Sequence, residues 1–151
     1  MPEVDPRVAD AKKACIKKLQ FNNYGDKIMS LNFEGSFAMY QVDCQSRQTR
    51  KVPIFSLYEN VDSKISDFDL VNSDNVLATI SQKNKVVKVY DTLLPYSFGT
   101  QTNIMEFKLK DNNHIGNMIL FNKHKQCLFV FNGRQGTMVE LDMRKNLQQV
   151  N

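Results

Sequence analysis

The segment that decides the fold is Ile65–Asp91, which reads ISDFDLVNSDNVLATISQKNKVVKVYD. It contains three short runs rich in Val, Ile, Leu and Phe, and polar turn residues such as Asn72–Asn75 separate the runs. The middle run, Val76–Ile80, is nearly continuous in apolar residues, which is typical of a strand covered on both faces. The segment therefore predicts adjacent strands whose central member is buried.

The same pattern occurs three times along the chain, with a period near fifty residues. Each unit begins on an isoleucine and closes on an aspartate: Ile16 to Asp43, Ile65 to Asp91 and Ile115 to Asp142. The positions three and five residues after each isoleucine are also apolar. At 42% hydrophobic content, random sequence would give that agreement about 4 times in 10,000. We therefore interpret the chain as a repeat.

Four short strands per unit, with both faces of the central strands covered, is the arrangement of a β-propeller blade. We predict an all-β fold, a partial WD40-like β-propeller of about three four-stranded blades. Blade one covers residues 16–64, blade two 65–114 and an incomplete blade three 115–151, while residues 1–15 form an N-terminal extension or incoming strand. The residues that mark the repeat are Gly35, Asp43, Tyr90, Asp91, Gly136 and Asp142. There is no tryptophan, so Tyr90-Asp91 is the best substitute for the usual Trp-Asp pair.

Charge and cysteine content exclude several classes of function. Lys and Arg number 20 against 16 Asp and Glu, and this net charge of +4 is spread along the chain, which argues against a nucleic-acid partner. The three cysteines include no CxxC pair, so neither a zinc site nor a disulfide framework is indicated. No apolar run could span a bilayer. We expect a cytoplasmic chain with no direct membrane insertion.

A search for catalytic residues finds little. The two histidines, His114 and His124, have no nearby nucleophile or metal-ligand pattern, so we predict no enzyme activity, no metal and no cofactor. Asp67 and Asp69 are two residues apart on a predicted strand and so share one face. They could serve as an acid/base pair or bind a cation. The interpretation that we favour is that they contact backbone amides or a neighbouring blade.

Basic residues occur in several short clusters, of which Arg47, Arg50 and Lys51 form the most specific one, because arginine is scarce in this chain. A cluster of this kind could bind an acidic protein surface, although most such clusters are simply solvated. We therefore treat Arg47, Arg50 and Lys51 as candidate partner-binding residues.

Several short segments carry a resemblance to a known family: Phe21–Lys27, Ala38–Gln41, Val89–Pro95, Gly133–Gly136 and Leu141–Arg144. From about Ile16 to Gln149 the chain resembles the C-terminal WD-repeat region of the DmX-like (rabconnectin) family. The resemblance implies that the chain is a fragment of a very large scaffold protein, a RAVE-type regulator that promotes assembly of the vacuolar-type proton ATPase. It implies as partners the peripheral-sector subunits of that V-ATPase and other RAVE-type components, with peripheral attachment to endomembranes through them.

Two alternatives stay open. One is a generic WD40 adaptor in vesicle trafficking, cilia or ubiquitin-ligase complexes, with the same fold and no contact with the proton pump. The other is an enzyme built on a propeller, for which Asp67 and Asp69 are the only candidates. Fold alone does not decide between them.

Overall fold

The computed structural model describes residues 15–43, 45, 48–49, 52–57, 64–72, 74–81, 83, 85–94, 103–110 and 117–150. The chain divides into two compact parts, Met1–Val61 and Asp62–Asn151. The described residues form thirteen strands and one short 3-10 helix, and no α-helix is found among them. The prediction of an all-β fold is confirmed.

The first part contains one antiparallel sheet, blade one. Its strands are β1 (Ile16–Phe21), β2 (Lys27–Asn32), β3 (Phe37–Asp43), β4 (Gln48–Thr49) and β5 (Phe55–Leu57). The last two strands both pair with β3, β5 along its first half and β4 at its end. The rings of Phe37 and Phe55 meet edge to face, with their centroids 6.2 Å apart, and both side chains are buried.

The second part contains two four-stranded antiparallel sheets. The first, blade two, consists of β6 (Ile65–Leu70), β7 (Val76–Ser81), β8 (Val86–Asp91) and β9 (Met105–Lys108). The second, blade three, consists of β10 (Met118–Asn122), β11 (Cys127–Asn132), β12 (Thr137–Asp142) and β13 (Gln148–Gln149), with the 3-10 helix Met143–Lys145 before the last strand. In both blades each strand pairs with the next one along the chain.

An apolar core joins the sheets of blades two and three. Its buried members come from both blades and include Ala78, Ile80, Val87, Val89, Ile119, Leu128, Val130 and Leu141. In β7 the side chains from Leu77 to Ser81 are all buried, so alternate residues are covered on both faces of the sheet. This confirms the prediction made from the continuous apolar run.

Strand register shows that the first two units are true structural repeats. Ile16 lies opposite Asn32 and Ile65 lies opposite Ser81, and in both cases the register shifts directly after the isoleucine. The two isoleucines therefore occupy equivalent places at the start of the innermost strand. The third residue of this set, Ile115, lies outside the described residues.

The third unit follows the same register one residue later than the sequence pattern predicts. Phe68 lies opposite Thr79, the fourth residue of β7, and Ile119 lies opposite Val130, the fourth residue of β11. Ile119 is buried as Phe68 is, whereas Met118 is about half exposed. The sequence alignment of Met118 with Phe68 is therefore wrong, and Ile119 takes that place.

The turns between the second and third strands share one backbone feature. Gly35, Lys85 and Gly136 occupy the same place in the three units, and all have positive φ, at 83°, 55° and 64°. This left-handed conformation favours glycine because it has no Cβ. The glycines named in the repeat signature thus sit where the backbone requires them, and Gly136 donates its N–H to the carbonyl of Asn132.

Replacing Gly136 with Ala will destabilise the chain by about 1–2 kcal/mol, because a Cβ disfavours the left-handed conformation. Nothing lies within 4 Å of the added atom, so the cost comes from the backbone alone. Thermal or urea unfolding measures it. The control is Gly133→Ala in the same turn, where φ is not positive and the nearest atom is 3.5 Å away. Equal losses for both variants would contradict this account.

Candidate interaction surface

The aspartates that close the second and third units form the same turn. The Oδ1 atom of Asp91 accepts a hydrogen bond from the N–H of Leu93 at 2.9 Å, and that of Asp142 accepts one from the N–H of Arg144 at 2.9 Å. Each aspartate side chain therefore closes a tight turn two residues further on. The role that these two aspartates share is structural.

Asp43 is not the counterpart of these two aspartates, which corrects the sequence alignment. Asp91 and Asp142 lie opposite the first residue of the neighbouring strand, and in the first unit that place belongs to Gln41, opposite Lys27. The reason is that β3 continues two residues further to pair with β4.

In the first repeat, Asp26 on the other side of the hairpin accepts the hydrogen bonds at this end of the sheet. The Nε2 of Gln41 donates to the carbonyl oxygen of Asp26 at 3.0 Å, and Asn22 donates to the Asp26 carboxylate at 2.6 Å. The Asn22 hydrogen bond, with smaller contributions from Gln41 and Lys27, lowers the pKa of Asp26. The first unit thus stabilises the same end of its sheet with a different set of residues.

Asp67 and Asp69 join the innermost strands of blades two and three. Their Oδ2 atoms accept hydrogen bonds from the backbone N–H groups of Ile119 at 2.9 Å and Phe121 at 2.7 Å. Strand β10 is the edge of its own sheet, so these N–H groups have no strand partner on that side. The interpretation as contacts with the backbone of a neighbouring blade is confirmed.

A second polar contact between the same blades lies at one end of the sheets. The side-chain amides of Asn72 and Gln126 bond to each other reciprocally, with the Nε2 of Gln126 donating to the Oδ1 of Asn72 at 2.7 Å. Both residues have positive φ. No sequence signal marked this pair, because two polar residues 54 positions apart become neighbours only when the blades stack.

The end of blades two and three that carries these turns presents apolar and basic side chains to solvent. Leu93 and Leu94 follow Asp91 and are 68% and 45% exposed. The turn that holds them is well ordered, since the N–H and hydroxyl of Thr92 both donate to the carbonyl of Asn75. Exposed basic residues lie in the equivalent turn of blade three and in the β10–β11 turn: Arg144, Lys145, Lys123 and Lys125. We call this surface the Leu93 end.

Electrostatics at the Leu93 end centre on one ion pair. The Nε and Nη2 atoms of Arg144 donate to the two oxygens of Asp142, both at 3.1 Å. The hydrogen bond from Arg144 is the main cause that lowers the pKa of Asp142, and the same contact raises the pKa of Arg144. This bidentate pair fixes the direction of the Arg144 side chain, most of which is exposed.

The remaining candidates from the sequence fall into two groups. Arg47, Arg50, Lys51 and His114 lie outside the described residues. His124 is exposed in a turn, where its backbone N–H bonds to Asn122. Within the described part of the chain, no three His, Cys, Asp or Glu side chains are grouped closely enough to hold a metal ion. Likewise, no helix there is long and apolar enough to cross a bilayer.

The described cysteines are reduced thiols, of which Cys15 is exposed and Cys127 is buried. Burial raises the pKa of Cys127, and the neighbouring Glu140 raises it further. A thiol in this environment stays protonated and is a poor nucleophile.

Blade three also leaves one face of its sheet partly open. The apolar residues on this face are Met118, Leu120, Phe129, Phe131 and Met138. The rings of Phe129 and Phe131 stack with centroids 6.4 Å apart. By register this face matches the face of blade two that packs on blade three, with Met118 and Leu120 in the places of Asp67 and Asp69.

Comparisons with known proteins find similarity at the level of fold. No family model matches the chain, and no curated protein does. Among solved structures, the β-propeller domain of Cps50 (Swd1) from Myceliophteria thermophila aligns with 82% of this chain at a TM-score of 0.64 and 11% sequence identity. The alignment covers 38% of that chain. The three blades are therefore a partial WD40-like β-propeller, as predicted.

Replacing Asp67 and Asp69 with Ala will leave the N–H groups of Ile119 and Phe121 without acceptors. We expect an overall loss of about 1–3 kcal/mol in unfolding free energy for each amide left unpaired. Hydrogen exchange should show these two amides exchanging at least about tenfold faster, because hydrogen bonds to charged groups contribute about 1.5–3 kcal/mol.

The matched control for this prediction is the double change to Asn, which keeps an acceptor oxygen at each position and should protect the two amides partly. The ladder amides between β11 and β12 should be much less affected. Unchanged exchange at Ile119 and Phe121 in the Ala variant would show that the aspartates do not hold β10.

Replacing Asp142 with Asn will lower the melting temperature at neutral pH, and the difference from the unmodified chain will shrink in acid. The folded pKa of Asp142 lies below its unfolded value, so its contribution is complete above that value and disappears as pH falls through the folded pKa. Melting curves from pH 7 into acid below the unfolded aspartate pKa of about 3.9 should show the difference beginning to shrink. In an Arg144→Gln background the Asp142→Asn loss should be smaller. An equal loss in both backgrounds would contradict the pairing.

Proposed function

We propose that this chain is part of a WD-repeat scaffold that binds other proteins, and that its partners belong to the machinery that assembles the vacuolar-type proton ATPase. The coarse part of this proposal rests on the fold, because WD40 propellers generally work as interaction scaffolds. The finer part rests on the family resemblance of segments such as Val89–Pro95 and Leu141–Arg144. Such a scaffold would work at the cytoplasmic face of endomembranes, attached through its partners.

The Leu93 end is the observation that best supports a binding role. Two adjacent leucines in water are costly for a monomer, and here four hydrogen bonds around Asp91, Thr92 and Asn75 hold them in one conformation. A preformed apolar projection loses little entropy on binding. Large apolar side chains surrounded by polar ones are typical of the centre of a protein interface.

The basic residues in the corresponding turns of blade three indicate the chemistry of the partner. Arg144 is held outward by its pair with Asp142, and Lys145, Lys123 and Lys125 are exposed in turns at the same end of blade three. Their charges would speed association with an acidic surface and reject basic ones. The partner we propose therefore has an apolar pocket bordered by carboxylates.

Affinity capture from cell extract with the longest natural protein that contains this chain tests the proposal. We expect recovery of peripheral-sector subunits of the proton pump, and we expect the double change Leu93→Ser and Leu94→Ser to reduce that recovery at least about tenfold, as the loss of two anchoring leucines would. Met138→Ser is the control, since Met138 is also an exposed apolar residue and pairs with Phe131 at the opposite end of blade three.

Two outcomes would reject the proposal in different ways. Recovery of vesicle-coat, ciliary or ubiquitin-ligase components in place of pump subunits would support a generic WD40 adaptor. Recovery of pump subunits at the same level with the Leu93 and Leu94 changes would show that another surface makes the contact.

A further inference from the structure

Blade one, like blade three, exposes apolar residues on one face of its sheet. Leu19 and Phe21 of the edge strand β1 are 59% and 57% exposed. Ile28 lies opposite Phe21, and Tyr40 lies opposite Ile28, so both belong to the same face and are only partly buried. We call this surface, formed by Leu19, Phe21, Ile28 and Tyr40, the Leu19 face.

Strand register shows which side of a blade the Leu19 face is. Leu19 pairs with the fourth residue of β2, and Ile119 pairs with the fourth residue of β11. Phe21 and Phe121 each pair with the second residue of the same strands. In blade three this side packs on blade two, where Ile119 is 3% exposed and belongs to the core that joins the two sheets. The Leu19 face is therefore the side with which a blade packs on the blade before it.

The open face of blade three is the other half of such a contact. We call it the Met118 face, and its members are Met118, Leu120, Phe129, Phe131 and Met138. It corresponds to the side of blade two that blade three covers. Here Met118 and Leu120 remain 48% and 56% exposed. The chain thus carries both halves of a contact between blades, and each half is partly open to solvent.

We propose that a second copy of this chain occupies these faces, with the Met118 face of one copy packed on the Leu19 face of the other. The contact repeats the packing of blade three on blade two, which the structure already contains. Burying Leu, Met and Phe side chains is favourable, and monomeric proteins rarely expose large apolar patches. Neither face includes the Leu93 end, so the proposal does not depend on the proposed function.

The two faces differ from each other, so the contact is head to tail. A contact of this kind ends when the copies close a ring. Each copy contributes three sheets, so two copies supply six blades, and closed propellers typically have four to eight. We therefore expect association to stop at the dimer.

The proposed contact differs from the internal one in its backbone hydrogen bonds. The N–H of Asn22 donates to the carbonyl of Lys27 at 3.1 Å, and the direction of N–H groups alternates along a strand, so those of Leu19 and Phe21 point away from β2. They correspond to the two N–H groups of β10 that bond to aspartates of blade two. In the Met118 face, methionine and leucine take the places of those aspartates. The contact between copies therefore depends on apolar packing and is weaker than the internal one.

Sedimentation of the full 151-residue chain tests the proposal. We expect a mass of twice 17.4 kDa, with a monomer fraction that increases on dilution. A monomer at every concentration would overturn the proposal and leave these faces to a different polypeptide.

Two double variants test the two faces separately: Leu19→Lys with Phe21→Lys, and Met118→Lys with Leu120→Lys. Each should raise the dimer Kd at least about tenfold, because charge would be buried in the contact. All four side chains are about half exposed in one copy, so the melting temperature of the monomer should change little. The matched control is Leu93→Ser with Leu94→Ser, two exposed leucines outside both faces, which should leave Kd within about twofold. An equal loss in the control would contradict the assignment.

Mixing the two lysine variants identifies the head-to-tail arrangement. One variant keeps its Met118 face and the other keeps its Leu19 face, so a mixed dimer has one complete contact although neither variant dimerises alone. A symmetric contact between two Met118 faces would give the opposite result: the blade-one variant would dimerise by itself, and mixing would add nothing. That result, or a mixture that stays monomeric, would overturn the proposal.

The double change Met118→Asp with Leu120→Asp predicts a gain. Carboxylates in these places would accept the N–H groups of Leu19 and Phe21 from the second copy, as the aspartates of blade two do for β10, so the dimer Kd should fall about tenfold. Lysine and aspartate at the same positions should therefore have opposite effects. Equal weakening by both would show a general apolar patch and would reject the proposed packing.

Discussion

The structure depends on one constraint: the sheets of blades two and three carry apolar side chains on both faces, and an apolar face is stabilised when another sheet covers it. In blade two, Leu77, Ala78 and Ile80 are all inaccessible to water although they lie on opposite faces of one strand. Blade three covers one of these faces with Ile119, Leu128 and its neighbours. Burying such a side chain contributes about 1.5–3 kcal/mol, so stacking is the main source of stability.

Sequence predicts the parts of this fold that depend on local patterns. The continuous apolar run Val76–Ile80 marks a strand covered on both faces, and it is one. What the pattern does not contain is strand register, because pairing depends on loop length and on how far a strand continues. For this reason the third unit lies one residue away from its sequence alignment, and Gln41 occupies the place assigned to Asp43.

The polar features follow the same division. Simple alternation places Asp67 and Asp69 on one face, and their acceptor role follows because the edge strand β10 needs partners for its N–H groups.

The carboxylates of blade two make the blades non-interchangeable. Asp67 and Asp69 supply acceptors to β10, whereas blade three carries Met118 and Leu120 in the same places and can supply none. A hybrid chain with the order of these two blades reversed would keep its apolar layers. At the new interface, however, two backbone N–H groups of the innermost strand would have no acceptor. Only the natural order of the two blades therefore satisfies both the apolar faces and the backbone hydrogen bonds.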